Sequence, residues 1–393
     1  MKKSKFASLF LSSSLLIGIL AGCGSGEEAG TSSEGGDTIK IGVNLELSGA
    51  VASYGSSELD GINLAVEEIN ADGGINGKEI VLEKVDNKSD AAEATNAAIK
   101  LTSQDKVAAI IGAATSGNSV AQVQIAADSK TPMISPSGTS PSVTVADDGS
   151  VNEFTFRTSF IDPFQGTVAA NFAANELKVK NAAVFADNAS DYAKGLAASF
   201  ITDFEKAGGS IVSEESYVAK DTDFRSTLTR IKATNPDFIF IPGYYEEVGL
   251  IVKQARELGI TVPLMGADGW DSPTIVDLAG ADALNNTFII NHYSAEDPDG
   301  KAKEFADKYN EKFGKAPNSF NALGYDTVYL LKDAVERAGS TDGTKIKEAL
   351  EATDGLELVT GLYSVDDKHH PVKSATILEF VDGAQVFNTK VNP

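Results

Sequence analysis

The chain has 393 residues, with 36 Gly, 12 Pro, three His and one Cys, and a formal net charge of −23. At 42% hydrophobic and 23% charged residues its composition is globular, and its length suggests about two domains. One Cys excludes an internal disulfide and cysteine-rich zinc or iron–sulfur sites. The acidic balance argues against nucleic acid, whose phosphates call for Lys and Arg.

The N-terminus opens with Lys2, Lys3 and Lys5, followed by an apolar run over 6–20 broken only by Ser and Gly. A run of about 15 residues is short for a membrane span, which needs ~20, and fits the apolar part of a signal peptide. Leu20-Ala21-Gly22-Cys23 resembles the bacterial lipobox. That resemblance implies a signal peptide over 1–22 and a lipid on Cys23, the first residue of the mature chain. The alternative is an ordinary signal peptide with a chance Cys. Residues 23–37, rich in Gly, Ser and Glu, have nothing to offset the entropy of ordering and read as a flexible tether.

From Thr38 short β-rich runs alternate with helical patterns. Strands are predicted at 39–45, 80–85, 107–111 and 132–135. Helices are predicted between them at 58–70, 90–102 and 118–128, the first stopped by Asp72-Gly73-Gly74. The rhythm then restarts: helix 167–177, strand 182–186, helix 192–207, strand 211–217, helix 224–233, strand 238–241, helix 248–258, strands 262–265 and 287–291. Helices follow at 301–313, 322–338 and 344–352. The stretch from Gly361 reads as strands around an Asp382-Gly383 turn. Such alternation means right-handed βαβ units. Two series predict an α/β fold of two doubly wound parallel-sheet lobes, with ligands held beyond the carboxyl ends of the strands.

The segments after those strands carry the chemistry. Gly112 to Ser119 offers small residues, hydroxyls and free N–H groups that open a helix, an arrangement suited to an anion. Asn118-Ser119 after Gly117 is not the Lys-Ser/Thr of a phosphate loop, so a carboxylate fits better; a capped helix with no ligand is the alternative. Pro136-Ser137-Gly138-Thr139-Ser140-Pro141 is a stiff, hydroxyl-rich loop that forms either the other half of that site or a plain surface turn. The second series ends its strands differently: Asp187 to Tyr192, then Pro242-Gly243-Tyr244-Tyr245, then Gly266-Ala267-Asp268-Gly269-Trp270. Tyr supplies a flat wall with a polar tip, and a carboxylate such as Asp268 pairs with an ammonium. Tyr54-Gly55, in a loop after the first strand, adds a further wall; any one of these aromatics alone could be simple packing. One lobe with anion donors and one with a carboxylate and aromatics complement an α-amino acid zwitterion.

These segments resemble the leucine/isoleucine/valine-binding proteins of bacterial ABC importers, which have the type I periplasmic-binding fold. The likeness runs through Ile41-Gly42, Ser48-Gly49, Tyr54-Gly55, Ala65 to Asn70 before Gly73-Gly74, Asp86-Asn87, Ser135-Pro136, Asp187-Asn188 with Tyr192, Pro242-Gly243-Tyr244, Asn321 to Asp326 and Val359-Thr360-Gly361. It implies that Ser116 and Thr139 bind a ligand carboxylate and that the Ser137 carbonyl accepts from its ammonium. It implies that Asp268 pairs with that ammonium beside Tyr244, and that Tyr192, Tyr54 and Phe320 line the side-chain pocket; Trp270 stays unassigned. It further implies a three-segment hinge near Ser159, His292 and Thr376. Lobe 1 would then span 38–159 with 292–375, and lobe 2 would span 160–291 with 376–393. Two departures stand out. Gram-negative relatives carry a disulfide where Thr115 stands, and the acid here is Asp where branched-chain binders often have Glu.

The expectation is an extracytoplasmic, lipid-anchored, monomeric binder rather than an enzyme. It would serve the transmembrane permease subunits of an ABC importer and need no cofactor and no metal. The alternative within the fold is a binder of another amino acid, an amide, urea or an aromatic acid, for uptake or sensing. No Gly-x-Ser-x-Gly elbow occurs. His369-His370 beside Asp366-Asp367 reads as a solvated turn, and Asp297-Pro298-Asp299-Gly300 as a helix lead-in.

Overall fold

The computed structural model describes residues 38–297 and 301–392. The expected signal peptide, Cys23, the expected tether, Pro298 to Gly300 and Pro393 lie outside the described residues.

Five strands make the first sheet: β1 (Thr38–Leu45), β2 (Glu79–Asp86), β3 (Ala109–Ile111), β4 (Met133–Ser135) and β5 (Thr155–Arg157). Their order is β2-β1-β3-β4-β5, all parallel. The central strands β3 and β4 are buried along their whole length, because helices cover both faces. β5 was not foreseen. It is three residues long and contains Arg157, a polar residue that the fold nonetheless buries completely. The Arg157 guanidinium donates to the carbonyls of Gly138 and Ser140, both at 2.8 Å.

The second sheet begins with β6 (Asn181–Asp187), β7 (Ser210–Tyr217), β8 (Phe238–Phe240), β9 (Leu264–Gly266) and β10 (Thr287–Asn291). A small antiparallel pair follows, β11 (Leu356–Leu358) with β12 (Gly361–Tyr363). β13 (Ala375–Val381) and β14 (Ala384–Val391) then rejoin the second sheet, in the order β14-β13-β10-β9-β8-β6-β7. This sheet is mixed rather than wholly parallel. β13 runs antiparallel to β10, and β14 turns back through Asp382-Gly383, whose φ values of 51° and 81° suit a tight hairpin.

The chain passes between sheets at three places. After β5 it enters the helix Asp162–Asn171, which packs on Asp191–Lys206 beside the second sheet. After β10 it runs through Ala302–Phe313 to Ser319–Ala338, which lies on Ala52–Ala71 over the first sheet. After β12 it crosses to β13. The packing of Ser319–Ala338 on Ala52–Ala71 depends on two glycines. A Cβ at Gly61 would sit 2.0 Å from the Asn321 carbonyl oxygen, and one at Gly324 would sit 2.4 Å from that of Glu58.

The helix Ala52–Ala71 starts six residues before the predicted 58. Gly55 reads as a loop residue, yet here it lets the first turn pass the Glu46 backbone, which a Cβ would meet at 2.3 Å. Tyr54 therefore stands on a helix, not in a loop. The predicted helix 118–128 is broken into Ser116–Val120 and Val123–Ser129. The predicted helix 167–177 begins earlier, at Asp162, with Pro163 in its first turn where a missing N–H costs nothing.

The two lobes are shut on each other. One apolar core runs from Ile41 and Val43 through Tyr54 and Phe320 to Tyr245 and Trp270. Polar bridges join the rims: Ser53 Oγ lies 2.7 Å from Ser272 Oγ, and Tyr245 Oη donates to the Ala50 carbonyl at 2.9 Å. Among the described residues no helix is long and apolar enough to cross a membrane.

Candidate ligand-binding cleft

Between the closed lobes lies a small cavity of about 10 Å³. All eight side chains singled out from the sequence line it: Ser116, Ser137 and Thr139 from the first lobe's strand-end loops, Tyr54 and Phe320 from its helices, and Tyr192, Tyr244 and Asp268 from the second lobe. A larger cavity of about 320 Å³ lies outside the cleft, between Ala302–Phe313 and Ser319–Ala338. Its Lys308 and Lys332 are already paired, with Glu68 and Glu304 and with Glu336 respectively.

On the first lobe two hydroxyl groups are free to donate. Ser116 Oγ accepts the Ser140 N–H at 3.1 Å, which leaves its own hydrogen uncommitted. Thr139 Oγ1 is buried beside the Asp162 carboxyl, whose charge it steadies, and meets no aligned partner among the described residues. The backbone donors of this loop are less free than the sequence suggests. The N–H groups of Ala114 and Thr115 both donate to Glu46, at 2.9 and 3.0 Å, and Thr115 Oγ1 joins them at 2.7 Å. Thr115 thus ties this loop to the end of β1 through Glu46.

The second lobe presents one carboxylate held by three side chains. Asp268 Oδ1 accepts from Tyr192 Oη at 2.8 Å and from Gln165 Nε2 at 3.1 Å, and Oδ2 lies 3.2 Å from His292 Nε2. Burial pushes the His292 pKa down, so the neutral ring donates from Nε2. Its other face stacks on Phe160 with centroids 3.6 Å apart. Gln165 also accepts the Asp268 N–H at 3.3 Å, which fixes the backbone together with the side chain. These neutral donors leave part of the carboxylate available to a cation from the cleft.

Aromatic rings close the remaining sides. Tyr54 stacks on Phe320 at 4.3 Å and meets Tyr244 edge-on at 5.8 Å, while Tyr192 stacks on Tyr244 at 5.1 Å. Burial raises the Tyr54 and Tyr192 hydroxyl pKa values well above the usual tyrosine range, so both stay protonated donors. Trp270, unassigned from the sequence, is fully buried and donates its indole N–H to the Ile241 carbonyl at 2.9 Å; it is packing, not lining.

Sequence reasoning missed Glu46, Glu58 and Gln165, and placed His292 only at a hinge crossing rather than beside Asp268. Glu46 directly follows β1, so the search beyond strand ends could have found it. Gln165 and His292 meet Asp268 from 103 and 24 positions away, and no local pattern marks them. His369 is corrected: it is not solvated but buried, stacked on Phe156 at 4.1 Å, with Nδ1 2.9 Å from the Thr155 carbonyl. Asp297, the described end of the predicted helix lead-in, lies 2.8 Å from Lys390.

Two doubly wound lobes shut over a cleft, with donors on one wall and a carboxylate on the other, define a solute receptor of the clamshell type. The chain belongs to the periplasmic binding protein family, whose sequence profile matches residues 38–385. It is 31% identical over 332 residues to the leucine-, isoleucine-, valine-, threonine- and alanine-binding protein of Pseudomonas aeruginosa, covering 84% of this chain and 87% of that one. It is similar to the branched-chain amino acid transporter substrate binding protein LivJ of Streptococcus pneumoniae, solved in complex with isoleucine: 41% identity, TM-score 0.86, covering 91% of this chain and 100% of that one. The leucine binding protein LivK of Thermotoga maritima gives the same TM-score of 0.86 at 37% identity, covering 91% of this chain and 99% of that one.

Proposed function

We propose that the chain captures a branched-chain α-amino acid between its lobes and delivers it to the membrane permease of an ABC importer. The observation that carries this reading is the polarity of the cleft. Two hydroxyls with uncommitted hydrogens, on Ser116 and Thr139, face one secured carboxylate, Asp268, across an aromatic pocket. Relatives named for leucine, isoleucine and valine support the same ligand class.

In this reading the ligand docks on the first lobe, its carboxylate on Ser116 and Thr139 and its ammonium on the Ser137 carbonyl. Closure about the three crossings brings Asp268, Tyr192 and Tyr244 over the ammonium and expels water, which strengthens each charged contact. Tyr54 and Phe320 take the aliphatic side chain. The lobes are 38–159 with 292–375 and 160–291 with 376–393, and the protein acts as a monomer that releases its ligand unchanged. A lipid on Cys23 holds it outside the membrane within reach of the permease.

A thermal-shift screen of the twenty amino acids with small amides, urea and aromatic acids tests this. A ligand at 100 times its Kd stabilises by ~2.7 kcal/mol. Leucine, isoleucine and valine are expected to give the largest shifts. Shifts with amides or aromatic acids, and none with amino acids, would reject the proposal. Fatty-acid labelling that survives in wild type and is lost in Cys23→Ala tests the anchor.

A further inference from the structure

Glu58 stands one helical turn after Tyr54 on the same face of Ala52–Ala71 and is fully buried. Its Oε1 is hydrogen-bonded to Ser137 Oγ, and its Oε2 has no partner among the described residues. Ser137 Oγ also donates to the Ala114 carbonyl at 2.8 Å. Both contacts place Ser137 Oγ as the donor, to Glu58 Oε1 and to the Ala114 carbonyl, and its one hydrogen can serve only one of them. A serine hydroxyl has one hydrogen, and a backbone carbonyl has none to give. If Ser137 donates to Ala114, the hydrogen between Ser137 and Glu58 must come from Glu58.

The surroundings agree. Glu46, on the loop after β1, is the charge acting on Glu58 and is itself acidic. The loop after β4 presents Ser137, and Ser319–Ala338 presents the backbone of Gly324. An ionised carboxylate with one bare oxygen is costly in such a site, whereas a neutral acid is tolerated. Burial accordingly raises its pKa well above the usual carboxylate range.

We propose that Glu58 is a positioning residue of the cleft: a neutral carboxylic acid that donates to Ser137 and so fixes the spacing of the two hydroxyl loops. Ala114 precedes Ser116 by two residues, and Ser137 precedes Thr139 by two. The chain Glu58–Ser137–Ala114 therefore sets the distance between the two groups proposed to hold the ligand carboxylate. The neutral acid also keeps a negative charge away from that carboxylate. The protonation of Glu58 stands on its own; its effect on affinity rests on the amino-acid reading above.

The test uses the full chain at neutral pH. The infrared difference spectrum of wild type against Glu58→Gln should contain the C=O stretch of a protonated carboxylic acid, above the amide I band. Ser137→Ala keeps the backbone carbonyl but removes the acceptor, and should move that band to higher frequency. By calorimetry with leucine, Glu58→Gln, whose amide still donates, should bind within about threefold of wild type, and Glu58→Ala about tenfold or more weakly. Absence of the band, or equal losses in Gln and Ala variants, overturns the proposal. If wild type itself binds no amino acid, the ligand reading fails while the infrared band still decides the proton. If Glu58→Ala does not fold, the band and its shift in Ser137→Ala decide alone.

Discussion

Tyr192 donates its phenolic hydrogen to Asp268 at 2.8 Å and accepts the N–H of Gly269, the next residue along, at 2.9 Å. One hydroxyl thus orients both the carboxylate and the backbone beside it. A side chain at 269 would end this arrangement, because a Cβ there would lie 2.7 Å from the Tyr192 hydroxyl. Asp268→Ala removes the one carboxylate proposed to meet the ammonium. Truncating one partner of a buried charged pair costs ~2–5 kcal/mol, so leucine affinity by calorimetry should fall by roughly 30-fold or more. Unchanged affinity would place the ammonium elsewhere.

Tyr54 reaches across the cleft. Its hydroxyl donates to the Gly269 carbonyl and accepts the Tyr245 N–H at 3.2 Å, so one side chain of the first lobe holds two backbone groups of the second. Tyr54→Phe keeps the ring on Phe320 but leaves both groups unpaired in the closed form alone. The cost of ~1–3 kcal/mol falls on closure. Leucine should bind roughly 5- to 150-fold more weakly. Small-angle scattering at subsaturating leucine should show a larger open fraction than in wild type.

The strand-end rule made much of this site legible. Ser116, Thr139, Tyr192, Tyr244 and Asp268 all follow strands that alternate with helices, and a doubly wound sheet gathers such loops at one edge. What failed was anything set by long-range partners. Tyr54 was placed in a loop because Gly55 reads as a breaker, while the Gly is there for the Glu46 backbone. β5 was lost because Arg157 looks like a surface residue until the carbonyls of Gly138 and Ser140 are seen around it. The antiparallel placement of β13 depends on a crossover that leaves no periodic trace.

The pairing of Ala52–Ala71 with Ser319–Ala338 supplies a stability test that touches none of the cleft-lining side chains directly. Gly61→Ala would drive a methyl to 2.0 Å from the Asn321 carbonyl, a backbone atom that cannot rotate away. Overpacking of this kind costs on the order of 3 kcal/mol. The urea midpoint should fall clearly below that of wild type. A control at Gly117, where a Cβ meets nothing within 4 Å, should fall much less.

Lys373 is buried at the crossing between β12 and β13. It donates to the Thr158 carbonyl at 3.1 Å and to Thr360 Oγ1, with Asp326 nearby. Burial lowers its pKa from 10.5 to about 8. Between those values the unfolded chain binds more protons than the native one, so native stability gains with rising pH across this window. At ~1.4 kcal/mol per unit the full gain is roughly 3 kcal/mol. The gain is absent below pH 8 and complete above 10.5. Urea midpoints of wild type and Lys373→Met, compared across the window, should show wild type improving relative to the variant. A constant difference would mean that Lys373 keeps an ordinary pKa in the native state.

Thr139 allows ligand binding and folding to be separated in one residue. Thr139 is buried, 1% exposed, and its hydroxyl lies beside the Asp162 carboxyl with no aligned hydrogen bond among the described residues. A buried hydroxyl without a partner costs ~1–3 kcal/mol that a methyl of similar shape does not. Thr139→Val should therefore leave the urea midpoint unchanged or raise it. If the hydroxyl donates to the ligand carboxylate, the same change removes a charge-assisted hydrogen bond worth ~1.5–3 kcal/mol, a loss of roughly 10- to 150-fold in leucine affinity. Higher stability with weaker binding is the expected pair of outcomes. Weaker binding together with lower stability would show that Thr139 supports the loop instead, and unchanged binding would take it out of the carboxylate site.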